Sequence, residues 1–324
     1  MKQSIRGLLA VLIIGSAASV FAQVGPGPGG PGGPGGPGGR GGAAQQATPP
    51  GPPAAVPAVV QMPRPSDAEV AAVRAGLEKL DPATRALLKK YPDLVQVRPP
   101  PPMSANTAIL PSLQGGFVAK HQANLEVARQ GDAELLFVGD SITDFWRGTN
   151  PPYDGAAVQE KYFGKWKVAN YGIAGDTTQG VLYRLGDGEG KGIKPRAIMV
   201  MIGTNNTGRN SAGEIAEGVG AVVLELQKDF PDARILLLGI FPRGNPGDPV
   251  RATIADINNI IRKLDDGRKV FYMDIGKGFL DANGVIARDI MSDSLHPTAK
   301  GYEIWAKAVI DPITAMMNGR APAR

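Results

Sequence analysis

The sequence predicts an α/β fold, a three-layer α/β/α sandwich built on a five-stranded parallel sheet. Five short apolar runs, at 134–138, 167–171, 197–202, 234–240 and 270–275, carry that expectation. Strands that are apolar along their whole length belong to a parallel sheet covered on both faces, whereas a half-solvated sheet alternates. Helical patterns at 156–162, 178–185, 213–229 and 249–264 separate the runs, one at 117–129 precedes them, and one at 298–317 closes the chain. Once the low-complexity start is set aside, about 220–260 residues remain, enough for one large core. In a doubly wound sheet, function gathers at the carboxyl ends of the strands.

Composition narrows the chemistry. The 324 residues are 43% apolar and 20% charged, with 35 Lys and Arg against 30 Asp and Glu, a formal charge of +5. That excess is small and evenly spread, and no basic stripe interleaved with aromatics suggests a nucleic-acid partner. Cysteine is absent, which removes disulfides, thiolate metal ligands and a cysteine nucleophile together. Only His121 and His296 supply imidazole. Zinc would then rely mostly on carboxylates, so neither a metal nor another cofactor is expected.

The chain divides into four expected parts. Residues 1–22 read as a signal peptide: Lys2 and Arg6, a short apolar stretch, then small residues around Ala22. The expected location is therefore outside the cytoplasm, periplasmic or extracellular, with no membrane span after cleavage. Residues 23–65 read as a flexible linker, since 25–42 hold twelve Gly and five Pro and prolines recur from Pro49 to Pro65. Residues 66–104 read as a helical hairpin with a Pro-rich connector. Ser66 and Glu69 form a capping box, Asp81-Pro82 opens a second helix, and Val70, Val73, Leu77 and Leu80 share a face. That face can pack on the main domain or join two copies as a homodimer. Residues 105–324 form the main domain.

Four motifs follow strand ends. They are Gly139-Asp140-Ser141, Gly172-Ile173-Ala174-Gly175-Asp176-Thr177-Thr178, Gly203-Thr204-Asn205-Asn206 and Asp293-Ser294-Leu295-His296. Each alone reads as a turn or a helix cap. Together they supply what acyl transfer needs: a hydroxyl nucleophile, a base, a group that orients the base, and donors for an oxyanion. Ser141 is the expected nucleophile, His296 the base and Asp293 its orienting carboxylate. The backbone N–H groups of Ser141 and Gly175 and the Asn205 side-chain amide are the expected oxyanion hole. Asp140, Asp176 and Arg243 are expected beside the site or in its pocket. His121 is expected at the far end of the sheet as a structural or surface residue, and Trp146, Trp166 and Trp305 as packing residues.

These blocks resemble the SGNH/GDSL hydrolase superfamily, and within it the branch of the platelet-activating factor acetylhydrolase Ib catalytic subunits and their bacterial relatives. Gly239-Ile240-Phe241-Pro242-Arg243-Gly244 extends the similarity, which runs from about Phe117 to Ile313. The resemblance implies a flavodoxin-like SGNH fold, the same five catalytic residues, and an acetyl preference. Ala174 in place of a common glycine, and Tyr183 where Trp is frequent, imply a reshaped acyl pocket. The expected activity is hydrolysis of short-chain esters on a small molecule or polysaccharide. Rival readings are a lysophospholipase, a catalytically silent surface-binding module of the same fold, and a phosphoryl-transfer enzyme. The last lacks the Walker lysine pattern. No Gly-x-Ser-x-Gly occurs, which argues against an α/β-hydrolase elbow.

Overall fold

Strand β1 (Leu135–Gly139) is buried along its whole length, as the unbroken apolar run predicts. A computed structural model of the protein describes residues 47–91 and 105–323. Strands β2 (Val168–Asn170), β3 (Ala197–Met201), β4 (Arg234–Leu238) and β5 (Val270–Met273) join β1 in a parallel sheet ordered β2-β1-β3-β4-β5. Leu135 pairs with Val168 on one side and with Ala197 on the other. The order therefore reverses at β1, whose carboxyl end opens between the loops after β2 and β3. Such a switch point is where doubly wound sheets place their ligands.

Strand side chains alternate between two cores. Leu136, Val138, Ile198, Val200, Ile235 and Leu237 enter an aliphatic core. Helices α3 (Val118–Gln130), α6 (Thr178–Arg184), α7 (Ala212–Asp229) and α8 (Pro249–Ile261) contribute residues to it. Leu135, Phe137, Met199, Leu236 and Phe271 face an aromatic-rich core under α5 (Ala156–Phe163) and α9 (Ala299–Met317). Trp146 and Trp305 are fully buried there, with ring centroids 5.0 Å apart, and Trp166 packs at its edge. The expected elements are present, with ends displaced by no more than three residues.

Two expectations about the first hundred residues need correction. The stretch at 47–64, expected as part of a flexible linker, is a strap laid along the domain. The N–H groups of Thr48, Gly51 and Ala54 donate to the carbonyls of Leu113, Pro111 and Ile109, each at 2.8 Å. Val56 and Val60 enter the aliphatic core, and Gly220 of α7 makes room, since a Cβ there would lie 2.6 Å from Val60 Cγ2. The prolines hid this from a compositional reading, because they extend the strap without preventing its few free N–H groups from pairing. Secondly, the hairpin helices α1 (Asp67–Glu78) and α2 (Pro82–Lys90) are capped as expected, by Ser66 and Asp81. Of the predicted apolar face, however, only Val70 is buried, and Val73 is 52% exposed. The expected signal peptide, the Gly/Pro tract up to residue 46 and the connector at 92–104 lie outside the described residues.

Candidate active site

Gly139 ends β1 because nothing larger fits: a Cβ there would lie 2.2 Å from Thr143 Oγ1 and 2.4 Å from the Met201 carbonyl. Asp140 follows and caps the short helix α4 (Ser141–Asp144), its Oδ1 accepting the Ile142 N–H at 3.0 Å. Ser141 is thereby fixed at the first helical position, with only 5% of its surface exposed. Burial pushes the Asp140 carboxyl up to about 7, aided by nearby Asp176 and opposed by the Ile142 N–H and Arg243. Arg243, half-buried beyond β4, donates through Nη2 to Thr207 Oγ1 at 2.8 Å. Burial lowers its pKa while Asp140 opposes that shift. Asp140 and Arg243 thus lie in one electrostatic neighbourhood beside Ser141.

The loop before α9 brings Asp293 and His296 to this serine. Ser294 takes a left-handed conformation, φ 58°, and its carbonyl accepts the Gly244 N–H at 2.9 Å. This turn aims the Asp293 carboxylate back at its own loop. Oδ1 accepts the N–H groups of Leu295 and His296 at 3.1 and 2.8 Å, and Oδ2 lies 2.6 Å from His296 Nδ1. His296 Nε2 lies 2.9 Å from Ser141 Oγ. With Nδ1–H donating to the carboxylate, Nε2 is left to accept from the serine hydroxyl. Partial burial pushes the Asp293 carboxyl up, but its bonds from His296 and Tyr153 outweigh this and hold it at about 2. The carboxylate therefore stays ionised wherever the protein is folded near neutral pH.

Gly175 follows β2 and Asn205 follows β3, the two strands that flank β1. Gly175 has φ 88°, a conformation glycine adopts without strain. A Cβ there would also lie 3.4 Å from the Phe117 ring. The Asn205 side chain donates to the Asp176 carbonyl at 2.8 Å, tying the loop after β3 to the glycine turn. One amide hydrogen is used in that bond, which leaves the second for a substrate oxygen.

Asp176 is fully buried and accepts Arg184 Nε and Nη2 at 3.0 and 2.8 Å. Arg184, also buried, reaches Glu189 through Nη1. Glu189 Oε1 then meets His121 Nδ1 at 2.8 Å, and His121 Nε2 meets Asp187 at 2.9 Å. The expectation for His121 is thereby corrected in part. It is structural, but it ends a buried relay that begins at Asp176 in the loop after β2. The reason is topological: α3 runs antiparallel to the strand that follows it, so its first turn lies at the site end of the sheet.

Sequence reasoning missed several participants. Tyr153 donates to Asp293 Oδ2 at 3.0 Å, and Phe145 stacks on Tyr153 with both rings beside His296. Asn206, buried beside Asn205, accepts the Thr178 N–H at 3.1 Å, and the Asn-Asn doublet was the signal for it. Tyr183, expected to reshape an acyl pocket, instead sets its ring edge against His121 and borders a groove with Pro52 and Pro53. A cavity of about 660 Å³ opens near Ile193, Phe230 and Met317, at the amino ends of the strands and remote from Ser141. Among the described residues no three His, Asp or Glu side chains converge as metal ligands.

A serine hydroxyl bonded to an imidazole, itself oriented by an ionised carboxylate, is an arrangement suited to nucleophilic attack on a carbonyl. The chain is similar to several known proteins. The GDSL-like lipase/acylhydrolase family model matches residues 137–304. The human platelet-activating factor acetylhydrolase IB subunit alpha2 is 34% identical over 221 residues, 66% of this chain and 93% of that protein. Subunit alpha1 from Bos taurus is 30% identical over 189 residues, 58% of this chain and 78% of that protein. The structure of Axe2, an acetylxylan esterase from Geobacillus stearothermophilus, is 22% identical, covers 60% of this chain and 100% of its own, and superposes with a TM-score of 0.45. The family match spans every strand end described above, and the chain therefore belongs to the GDSL-like lipase/acylhydrolase family and is a carboxylic ester hydrolase.

Proposed function

We propose that the protein is an exported serine esterase that removes short acyl groups, acetyl above all, from carbohydrates. The hydrogen-bonded series Ser141–His296–Asp293 is the observation that carries this reading. Ser141 Oγ attacks the ester carbonyl while its proton passes to His296 Nε2. The negative oxygen of the tetrahedral intermediate is received by the N–H groups of Ser141 and Gly175 and by the Asn205 amide. His296 then protonates the departing alcohol, leaving an acyl-serine. A water that gives its proton to His296 attacks this ester, and collapse releases the acid and restores the Ser141 hydroxyl.

The acyl and alcohol halves rest on separate arguments. The relatives at 34% and 30% identity are named acetylhydrolases, which supports a short acyl group. The signal-peptide character of residues 1–22 supports export to a compartment where acetylated glycans occur. Side chains of Asp293 and His296 are 39% and 17% exposed, which supports an alcohol half that extends into solvent. No described helix is long and apolar enough to cross a membrane.

Comparing kcat/KM for nitrophenyl acetate and nitrophenyl decanoate, then acetate release from acetylated xylan with fatty-acid release from lysophospholipid, tests the proposal. The expected preference is for the acetyl ester and the glycan. Preference for the decanoate and the lipid would replace it with a lysophospholipase. Undiminished turnover by Ser141→Ala would remove the mechanism altogether.

A further inference from the structure

We propose that Tyr153 is a positioning residue for the triad, holding the Asp293–His296 pair in register through its hydroxyl and its ring. The inference rests on the esterase reading of the same site. Asp293 offers about four acceptor positions, as any carboxylate does. Two backbone N–H groups take Oδ1, while His296 Nδ1 and the Tyr153 hydroxyl share Oδ2. Without the hydroxyl, the oxygen that orients the imidazole has one protein donor and a side exposed to water. The Tyr153 ring adds a second constraint, meeting the His296 ring nearly edge-on at 5.2 Å and stacking on Phe145 at 4.8 Å. Phe145 in turn lies 5.1 Å from the imidazole.

The loop that carries Tyr153 is built to hold it still. The Tyr153 N–H donates to Asn150, and the Ala156 N–H donates to Gly148, at 3.0 and 2.9 Å. A Cβ on Gly148 would lie 1.9 Å from the Tyr153 carbonyl. Asp154 accepts the Ala299 N–H at 3.0 Å, pinning the loop to the first turn of α9. A side chain presented this way arrives pre-oriented, which is the condition for a positioning role. The groups facing the pair are few: Ser141 on Nε2, the Tyr153 and Phe145 rings on the imidazole, and the neighbouring Ser292 on the Tyr153 hydroxyl. Burial raises the Tyr153 pKa and Asp293 raises it further, so the hydroxyl remains a donor throughout the working range.

Tyr153→Phe keeps the ring and removes the donor. Asp293 then concentrates its charge on His296 and favours the protonated imidazole. The acid limb of the pH–rate profile should move to higher pH. With nitrophenyl acetate, kcat should fall about three- to tenfold while KM stays within about twofold. Tyr153→Leu, which also loses the ring contacts, should fall further than Tyr153→Phe. The downfield proton resonance of the His296 Nδ1–H···Asp293 bond, recorded without substrate, should shift in Tyr153→Phe. That resonance separates the two claims, because a wrong esterase reading leaves its shift in place. Wild-type kcat and an unmoved acid limb in Tyr153→Phe would overturn the proposal. So would a loss of kcat with an unmoved limb and an unchanged resonance, since Tyr153 would then be only a packing residue.

Discussion

Arg64 grips Glu217 with both guanidinium arms, at 2.6 and 2.8 Å, and the carboxylate it meets is completely buried on α7. The Met62 N–H and the Asn106 amide complete the shell at 2.9 and 2.8 Å. A buried carboxylate is tolerated only when its oxygens are paired. Burial alone would raise the Glu217 carboxyl, yet Arg64, Met62 and Asn106 hold it below its ordinary value. The strap is therefore part of the domain's electrostatic closure as well as of its core.

A chain beginning at Asn106 should accordingly be less stable than one beginning at Thr48. It loses the burial of Val56 and Val60, worth about 1.5–3 kcal/mol each. It also leaves Glu217 with one of its three partners, a further cost of about 1–3 kcal/mol. Urea unfolding of the two chains gives the difference directly. In the shorter chain Glu217→Gln should recover part of it, because an uncharged amide costs less to bury. Equal midpoints would mean that the strap is an adornment.

Asn205→Ala should lower kcat by roughly 10²–10³, the range for one lost oxyanion donor, with KM for a small ester little changed. The substitution also frees the Asp176 carbonyl, so the Gly175 turn loses one tie. Steady-state kinetics on nitrophenyl acetate, with circular dichroism as the check on folding, measures this. A kcat near wild type would make Asn205 a turn residue and nothing more.

How much of this was legible depends on whether a residue's partner is announced by its neighbours. The strands were readable because both faces of the sheet are covered, leaving unbroken runs such as Leu135 to Val138. Three of the four strand-end motifs were readable because each sets a glycine beside polar residues just past an apolar run, whereas Asp293 to His296 stands well beyond β5 with no glycine. Arg184 and Glu189 were not, since an arginine on an amphipathic helix carries no mark of being fully buried. Val56 and Val60 were masked by the prolines around them. Tyr153 sits in a Pro-Pro-Tyr-Asp turn that looks like any surface connection, and only the fold sets it over Asp293.

Gly175→Ala should impair catalysis through the backbone. Its φ of 88° is strained for any residue with a Cβ, at a cost of about 1–2 kcal/mol. Relief of that strain rotates the N–H away from the substrate oxygen. The expected result is a kcat reduced at least tenfold with a modest loss of melting temperature. A variant that melts as the wild type does and keeps full kcat would exclude the Gly175 N–H as an oxyanion donor.

The relay ending at His121 should make stability depend on pH in a particular sense. A neutral imidazole has one N–H, yet both His121 nitrogens face carboxylates, Glu189 and Asp187. Burial disfavours the charged ring, but these two partners prevail over it and over nearby Arg184, and the pKa is raised. A group whose folded value lies above its unfolded value, about 6.5 for histidine, stabilises fully below the unfolded value. The contribution is lost as pH rises through the folded value. His121→Gln abolishes the titration while keeping a polar side chain. The melting temperature of the wild type should therefore exceed that of the variant most near pH 5 to 6, and the gap should narrow steadily toward pH 9. The raised Asp176 carboxyl also makes stability fall with rising pH, chiefly because of its burial, but it is present in both proteins and cancels in the comparison. Melting curves that stay parallel across this range would show that His121 is uncharged in the folded protein. The relay from Asp187 to the Gly175 turn would then be held by neutral hydrogen bonds alone.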